Sequence, residues 1–231
     1  IHQLNSDMNL VELLLSLLCF MHATEHRYSR VDHCFNIIVN ILSQLCSDEK
    51  TRQFLISQMS TEKPMTEDHF YVLVQGKQMN GAKLILNQFM SSNLTFASEL
   101  SLFLAKMAEY EPKAIVAVVD KLHGKDSFFV KCLSFLKSTS VADETRMHVA
   151  QLLSNIFSNG EMMGTLAPVI KNDLTSTMTV LLTELKSALQ TAGFYIMRHM
   201  NLNDGDLVNN CLQYLTNNVP SCRIIEWMLQ L

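Results

Sequence analysis

The pentapeptide His22-Ala23-Thr24-Glu25-His26 sets two imidazoles four residues apart with a carboxylate between them. On a helix that spacing brings both rings to one face, where they would hold a zinc ion while Glu25 activates a water molecule for hydrolysis. A hydrolytic centre of this kind also needs a third protein ligand and a cleft. No distal carboxylate is singled out by the sequence, so a zinc-dependent hydrolase built on His22, Glu25 and His26 is the weaker alternative, and we expect no metal and no cofactor. The string Asn201-x-Asn203-Asp204-Gly205-Asp206 has the flavour of a calcium loop. Its glycine, however, comes one position early, and Leu212 stands where a bidentate acid belongs. Asn93-Leu94-Thr95 fits a glycosylation acceptor and reads better as a helix-capping loop. The phosphate-cradling and nucleophile-elbow strings G-x-x-x-x-G-K-S/T, G-x-G-x-x-G and G-x-S-x-G are all absent, so the sequence offers no catalytic residue set.

Charge and cysteine usage narrow the remaining classes. Eighteen basic and 22 acidic residues are interspersed along the 231-residue chain, for a net charge of -4, which gives no field suited to neutralising a run of phosphates. Nucleic acid is therefore not the expected partner, and an RNA-binding helical repeat would betray itself by a steep loss of affinity with salt. Cys19, Cys34, Cys46, Cys132, Cys211 and Cys222 lie far apart within apolar stretches, the pattern of buried free thiols in a reducing compartment. An intracellular protein, cytoplasmic or nuclear, is the expectation. The longest apolar run, Leu13 to Met21, is interrupted by Ser16 and is about half of what spans a bilayer, so no membrane segment is expected.

Any functional residues must therefore be positioned by helices. Gly (7) and Pro (4) are scarce, which disfavours a turn-rich β fold. Leu10, Leu13, Leu14, Leu17, Leu18 and Met21 recur at helical spacing, with Val11, Leu15 and Cys19 widening the arc, so this first helix is expected to be buried on more than one side. Ser29 with Asp32 caps a second helix with a stripe of Val31, Phe35, Ile38, Leu42 and Leu45, and Ser47-Asp48-Glu49 starts a third through Phe54, Leu55 and Met59. Further helices are predicted near 66–77, 81–91, 96–109, 112–123, 126–137, 142–158, 161–170, 174–186, 187–200, 206–216 and 220–230. Thr66 caps, Pro112 sits in a first turn, Gly124 stops, and Asn80-Gly81, Asn159-Gly160 and Asp204-Gly205 turn. No strand is expected; the run Val116 to Val119 has helical flanks. Helices with such wide apolar arcs and short connections must stack on their neighbours.

The segment Val149-Ala150-Gln151-Leu152-Leu153-Ser154-Asn155-Ile156-Phe157-Ser158-Asn159-Gly160 resembles the third helix of an armadillo repeat and its exit, with the A-L-x-x-L-S-N-I/L-A pattern of that family. Earlier in the chain Ile41-Leu42-Ser43-Gln44-Leu45-Cys46, followed by Ser47-Asp48-Glu49, Arg52, Phe54 and Leu55, resembles the same helix and its junction into the next repeat. Asn9 to Met21 and Asp126 to Lys137 are similar to the family's second helix, with its L-x-x-L-L motif. The likeness is clearest over 9–59 and 126–200, and the related HEAT type fits the same pattern. It implies an all-α, right-handed α-solenoid, read here as a single domain over 1–231 and as a fragment of a longer protein, since the chain opens on Ile1.

In that family the third helices line a concave groove and their Asn side chains hold a partner's extended backbone. The matching positions are Asn155 and, with a different amide, Gln44. An amide offers both a donor and an acceptor to a peptide group. The expected function is thus a non-enzymatic scaffold gripping a peptide or helix of another protein. The alternative within binding modules is a homodimer formed through Ile224, Trp227 and Met228 of the last helix. Fourteen methionines, among them Met59, Met65, Met79, Met90, Met107, Met162 and Met163, are read as core filler or as an adaptable groove. Lys106, Lys113, Lys121, Lys125, Lys131 and Lys137 alternate with Glu109, Glu111, Asp120 and Asp126, which reads as a solvated mixed-charge face.

Overall fold

In the third helix, α3 (Glu49–Ser60), the expected start signal works as chemistry: Asp48 has extended backbone angles and its Oδ2 accepts the Thr51 N–H at 2.8 Å. That backbone hydrogen bond is also the chief reason the Asp48 carboxyl lies below its ordinary pKa. The computed structural model describes residues 2–24, 31–61, 71–91, 95–138 and 140–157 and the isolated positions 176, 179, 180 and 183. The other described helices are α1 (His2–Thr24), α2 (Val31–Leu45), α4 (Gly81–Met90), α5 (Ala97–Tyr110), α6 (Pro112–His123), α7 (Lys125–Lys137) and α8 (Asp143–Phe157). The chain is thus mostly helical, with Pro112 at the first position of α6 and Gly124 ending it as expected. Positions 176, 179, 180 and 183 are helical too. Ser29, Thr66, the turn Asn159-Gly160 and the helices predicted from 161 onward otherwise lie outside the described residues. No described helix is long and apolar enough to cross a membrane.

Two expectations are corrected. The helix predicted near 66–77 is, over its described part, an antiparallel hairpin of β1 (Val72–Val74) and β2 (Lys77–Met79), paired Val72 to Met79, Leu73 to Gln78 and Val74 to Lys77. Gln75 and Gly76 both have positive φ, 51° and 78°, which is what a two-residue hairpin turn demands. A hairpin this short is not stable alone. It is anchored by buried Val72 and Met79 against α1 and α4, with the Cys19 thiol directed at the Met79 carbonyl. Secondly, Asn80-Gly81 is a helix start: Asn80 Oδ1 caps the Lys83 N–H at 2.9 Å while its Nδ2 donates to Gln58, so one buried amide fixes α4 to α3.

The chain divides into two compact units, Ile1–Phe128 and Phe129–Leu231, the division falling inside α7. In the first, α1 packs chiefly on α4 and α2, α2 on α5, α3 on α4 and α6, and α5 on α6. Its centre is a set of fully buried Leu18, Leu42, Leu55, Met59, Leu84, Ile85, Phe89 and Phe103, with tilted ring pairs Phe35–Phe96 (4.4 Å) and Phe89–Phe128 (5.6 Å). Gly81 lets α4 start against α1: a Cβ there would lie 2.2 Å from the Leu15 carbonyl oxygen. The end of α3 is met by two later lysines, Lys83 Nζ donating to the Thr61 carbonyl and Lys121 Nζ to that of Ser60 at 3.1 Å. In the second unit Cys132, Leu133 and Leu136 of α7 and Val149, Leu152, Leu153 and Ile156 of α8 are buried, and Phe129 meets Phe157 at 5.5 Å.

One device occurs in both units. Arg52 and Arg146 each follow a buried threonine, Thr51 or Thr145, in the first turns of a helix, and each guanidinium is itself buried. Arg52 Nη1 donates to the carbonyls of Cys46 and Ser47 at 2.9 Å, and its guanidinium lies 4.1 Å from the Tyr110 ring centroid. Arg146 Nη2 and Nε donate to the Leu136 carbonyl at 2.9 and 3.2 Å. Carbonyls at a helix C-terminus lack intrahelical donors and carry the negative end of its dipole, so a cation with planar donors is suited to them.

Candidate functional site

The face of α2 that turns away from the core carries Cys34, Ile37, Ile41 and Gln44, spaced three, four and three residues apart. Phe35, Ile38, Val39 and Leu42 occupy the opposite face and are buried against neighbours that include α5. The outer ridge stays in water: Ile37 is 45% and Ile41 37% exposed, and Gln44, in the last turn, is exposed beside them. Apolar surface next to a donor–acceptor amide is the composition expected of a polypeptide-binding patch. Asn155 lies in the second unit, on α8, half-buried, with its Oδ1 accepting from Gln151 Nε2 at 2.8 Å. Its helix likewise buries Leu152, Leu153 and Ile156. The two amides predicted to share a role thus belong to different compact units.

Other candidates fall elsewhere. His22 is half-buried in the last turn of α1, its Nδ1 3.3 Å from Gln88 Nε2 of α4, whereas Glu25 and His26 lie outside the described residues. Among the described residues no three His, Cys, Asp or Glu side chains are grouped to hold a metal ion. The calcium-like loop 201–206, Asn93 and Leu94 of the glycosylation string, and the dimer candidates Ile224, Trp227 and Met228 also lie outside them. Met59, Met79 and Met107 are core residues, Met90 is half-buried, and Met65, Met162 and Met163 are not described.

Buried thiols match the reading of Cys19, Cys46 and Cys132 as core residues. Burial pushes Cys19 up to about 11, Cys46 up to about 12 and Cys132 higher still, and Cys46 Sγ sits 3.3 Å from Met107 Sδ. Cys34 is exposed, contrary to expectation, because it belongs to the outer ridge of α2. Of the lysines of 106–137, Lys106 pairs with Glu109 at 3.0 Å, Lys131 lies 4.7 Å from the Phe135 ring centroid, and Lys137 Nζ reaches Ser176 Oγ at 3.0 Å.

His123, half-buried at the end of α6, has its pKa held below the ordinary value by burial first and by the Lys77 ammonium second. The unfolded chain then takes up a proton at that position before the folded one does. Stability is complete above about pH 6.5 and declines as the pH falls toward the folded-state pKa. Thermal melts should show His123→Gln losing less stability than the parent between about pH 7.5 and 5.5; parallel curves would remove His123 as a source of the dependence.

The surface that sequence reasoning missed is the outer side of α1. Leu10, Leu13 and Leu17 were expected within its buried stripe and are instead exposed, while Val11, Leu14, Leu15, Leu18 and Cys19 are buried. The signal was present as an apolar arc too wide for one interface. No family model, no curated protein and no solved structure matches the chain.

Proposed function

We infer that the chain is a non-enzymatic protein-binding module, a right-handed solenoid of armadillo or HEAT-like helical repeats that takes a peptide or helical segment of another intracellular protein along a concave groove. The observation that carries this reading is the outward ridge of α2, where Ile37 and Ile41 stand in water beside the Gln44 amide. Exposed β-branched side chains on a face with no folding role are what a partner's apolar residues would cover, and an amide beside them can read the partner's backbone. The resemblance of α2 and α8 to third helices adds Asn155 as the corresponding group in the second unit. To engage a peptide it would exchange the Gln151 hydrogen bond for one to the partner's backbone.

Affinity capture from cells, followed by titration of the purified partner, tests this. Ile41→Glu should weaken binding about 100-fold and Gln44→Ala or Asn155→Ala about 5- to 10-fold, at unchanged helicity. Undiminished affinity in Ile41→Glu and Gln44→Ala together would remove α2 from the binding surface.

A further inference from the structure

Beside the apolar ridge of α2 runs a row of carboxamides, Asn36, Asn40 and Gln44, each four residues from the next. Asn36 and Asn40 are half-buried, at the border between the ridge and the packed side of the helix, and Gln44 is exposed. None of the three side chains has a hydrogen bond among the described residues, and the Asn36 Oδ1 is enclosed without one. Their hydroxyl neighbours are satisfied locally: Ser43 Oγ donates to the Val39 carbonyl at 2.8 Å and Ser47 Oγ to that of Gln44 at 3.0 Å. Asn80, an amide that does serve the fold, uses both of its ends. An enclosed amide oxygen with no partner is uncommon and costs stability, and asparagine is a weak residue for the middle of a helix. Asn36 and Asn40 thus weaken α2, and no hydrogen bond of the described fold offsets them.

The row has the period of an extended chain. Four residues of α-helix advance about 6 Å, and two residues of an extended chain about 6.6 to 6.8 Å. In such a chain every second residue turns its N–H and C=O to the same side, and a carboxamide supplies an acceptor for the one and a donor for the other. A helix offers nothing comparable, since its interior N–H and C=O groups are already paired with each other. No residue from 34 to 47 is charged, which suits peptide groups rather than a charged side chain. The row is also presented on a fixed rod: the Phe35 ring lies 4.4 Å from that of Phe96 and Cys46 Sγ 3.3 Å from Met107 Sδ, so both ends of α2 are seated on α5.

We propose that the segment bound by α2 is an extended chain lying along the helix, its alternate peptide groups on Asn36, Asn40 and Gln44 and its apolar side chains over Ile37 and Ile41. This rests on the reading of α2 as a binding surface and chooses an extended strand over a helix as the occupant. On binding, the Asn36 amide turns about its last torsion, whose profile is broad, and its oxygen passes from enclosure to an N–H of the segment.

The probe is a set of linear peptides of about ten residues, longer than the row when extended, selected from a random display library on the purified chain and titrated against it. Asn36→Ala and Asn40→Ala should each weaken the selected peptides about 5- to 10-fold, and Ile41→Glu about 100-fold. Methylation of the peptide nitrogens, one at a time, should weaken binding about 5- to 10-fold at every second position and little between them. Asn36→Ala should leave the melting temperature unchanged or raise it, which replacement of a residue kept for the fold would not do. Peptides that lose affinity with Ile41→Glu but ignore both asparagines, or that bind as well when locked into a helix, would overturn the extended mode and leave α2 as the binding surface. Failure to select any peptide, or peptides that bind the Ile41→Glu chain as well as the parent, would overturn the reading of α2 and this inference with it.

Discussion

Gly81→Ala is expected to destabilise the 1–128 unit by roughly 3 kcal/mol or more, a large share of the roughly 5–15 kcal/mol that is ordinary for a domain. The reason is geometric. A Cβ at this position would stand 2.2 Å from the Leu15 carbonyl oxygen and 2.7 Å from the Leu15 Cα and carbonyl carbon, all backbone atoms of another helix. No rotamer change relieves such a contact, so α1 and α4 must separate and the side chains between them lose their packing. Gly76 is the internal control. Its surroundings are open, with nothing within 4 Å of an added Cβ, and Gly76→Ala pays only for a left-handed backbone, about 1 kcal/mol. Urea unfolding followed by circular dichroism separates the two; equal midpoints would mean that α1 and α4 do not approach as closely as described.

Arg146→Leu should destabilise the second unit by about 2 to 4 kcal/mol although it replaces a charge with an apolar side chain of good helix propensity. The guanidinium is 4% exposed and donates twice to the Leu136 carbonyl, with the exposed Asp143 carboxylate 3.5 Å from Nη1. Leucine fills much of the volume but leaves the end of α7 without its donors. Arg146→Lys should recover less than half of the loss, because a single ammonium cannot reproduce two donors converging on one oxygen. Denaturation midpoints of the three proteins decide it, and an Arg146→Leu chain within about 0.5 kcal/mol of the parent would show that the α7 carbonyl is satisfied by other means.

These residues show where sequence reasoning reached and where it stopped. Local signals were sufficient for α3, α6 and α8, because Asp48, Pro112, Gly124 and the apolar stripe of α8 act within one turn of themselves. The hairpin escaped because its segment is short and Gln75-Gly76 is a weak turn signal, while the burial of Val72 and Met79 that stabilises it depends in part on α1, distant in the chain. Gly81 could be seen as a breaker but not as a point of contact, since Leu15 is its neighbour only after folding. Thr-Arg shortly after an acidic pair occurs at 51–52 and 145–146, a repeat visible in the letters whose meaning required knowing which carbonyls lie ahead of it. Of the candidate site, the exposure of Gln44, Ile37 and Ile41, off the Val31–Leu45 stripe, and the part-burial of Asn155 follow from helical phase; the openness of Leu13 on α1 does not, because hydropathy alone cannot say which of two apolar sides the fold will use.

The two lysines at the end of α3 bear on how this chain comes together during synthesis. The groups that neutralise that terminus arrive 22 and 61 positions later, so a nascent chain that has only just delivered α3 leaves its last carbonyls to water. Those two bonds follow the packing, in which α1 rests chiefly on α4, α2 on α5 and α3 on α4 and α6, so the N-terminal half is expected to gain its order as one cooperative event rather than one helical pair at a time.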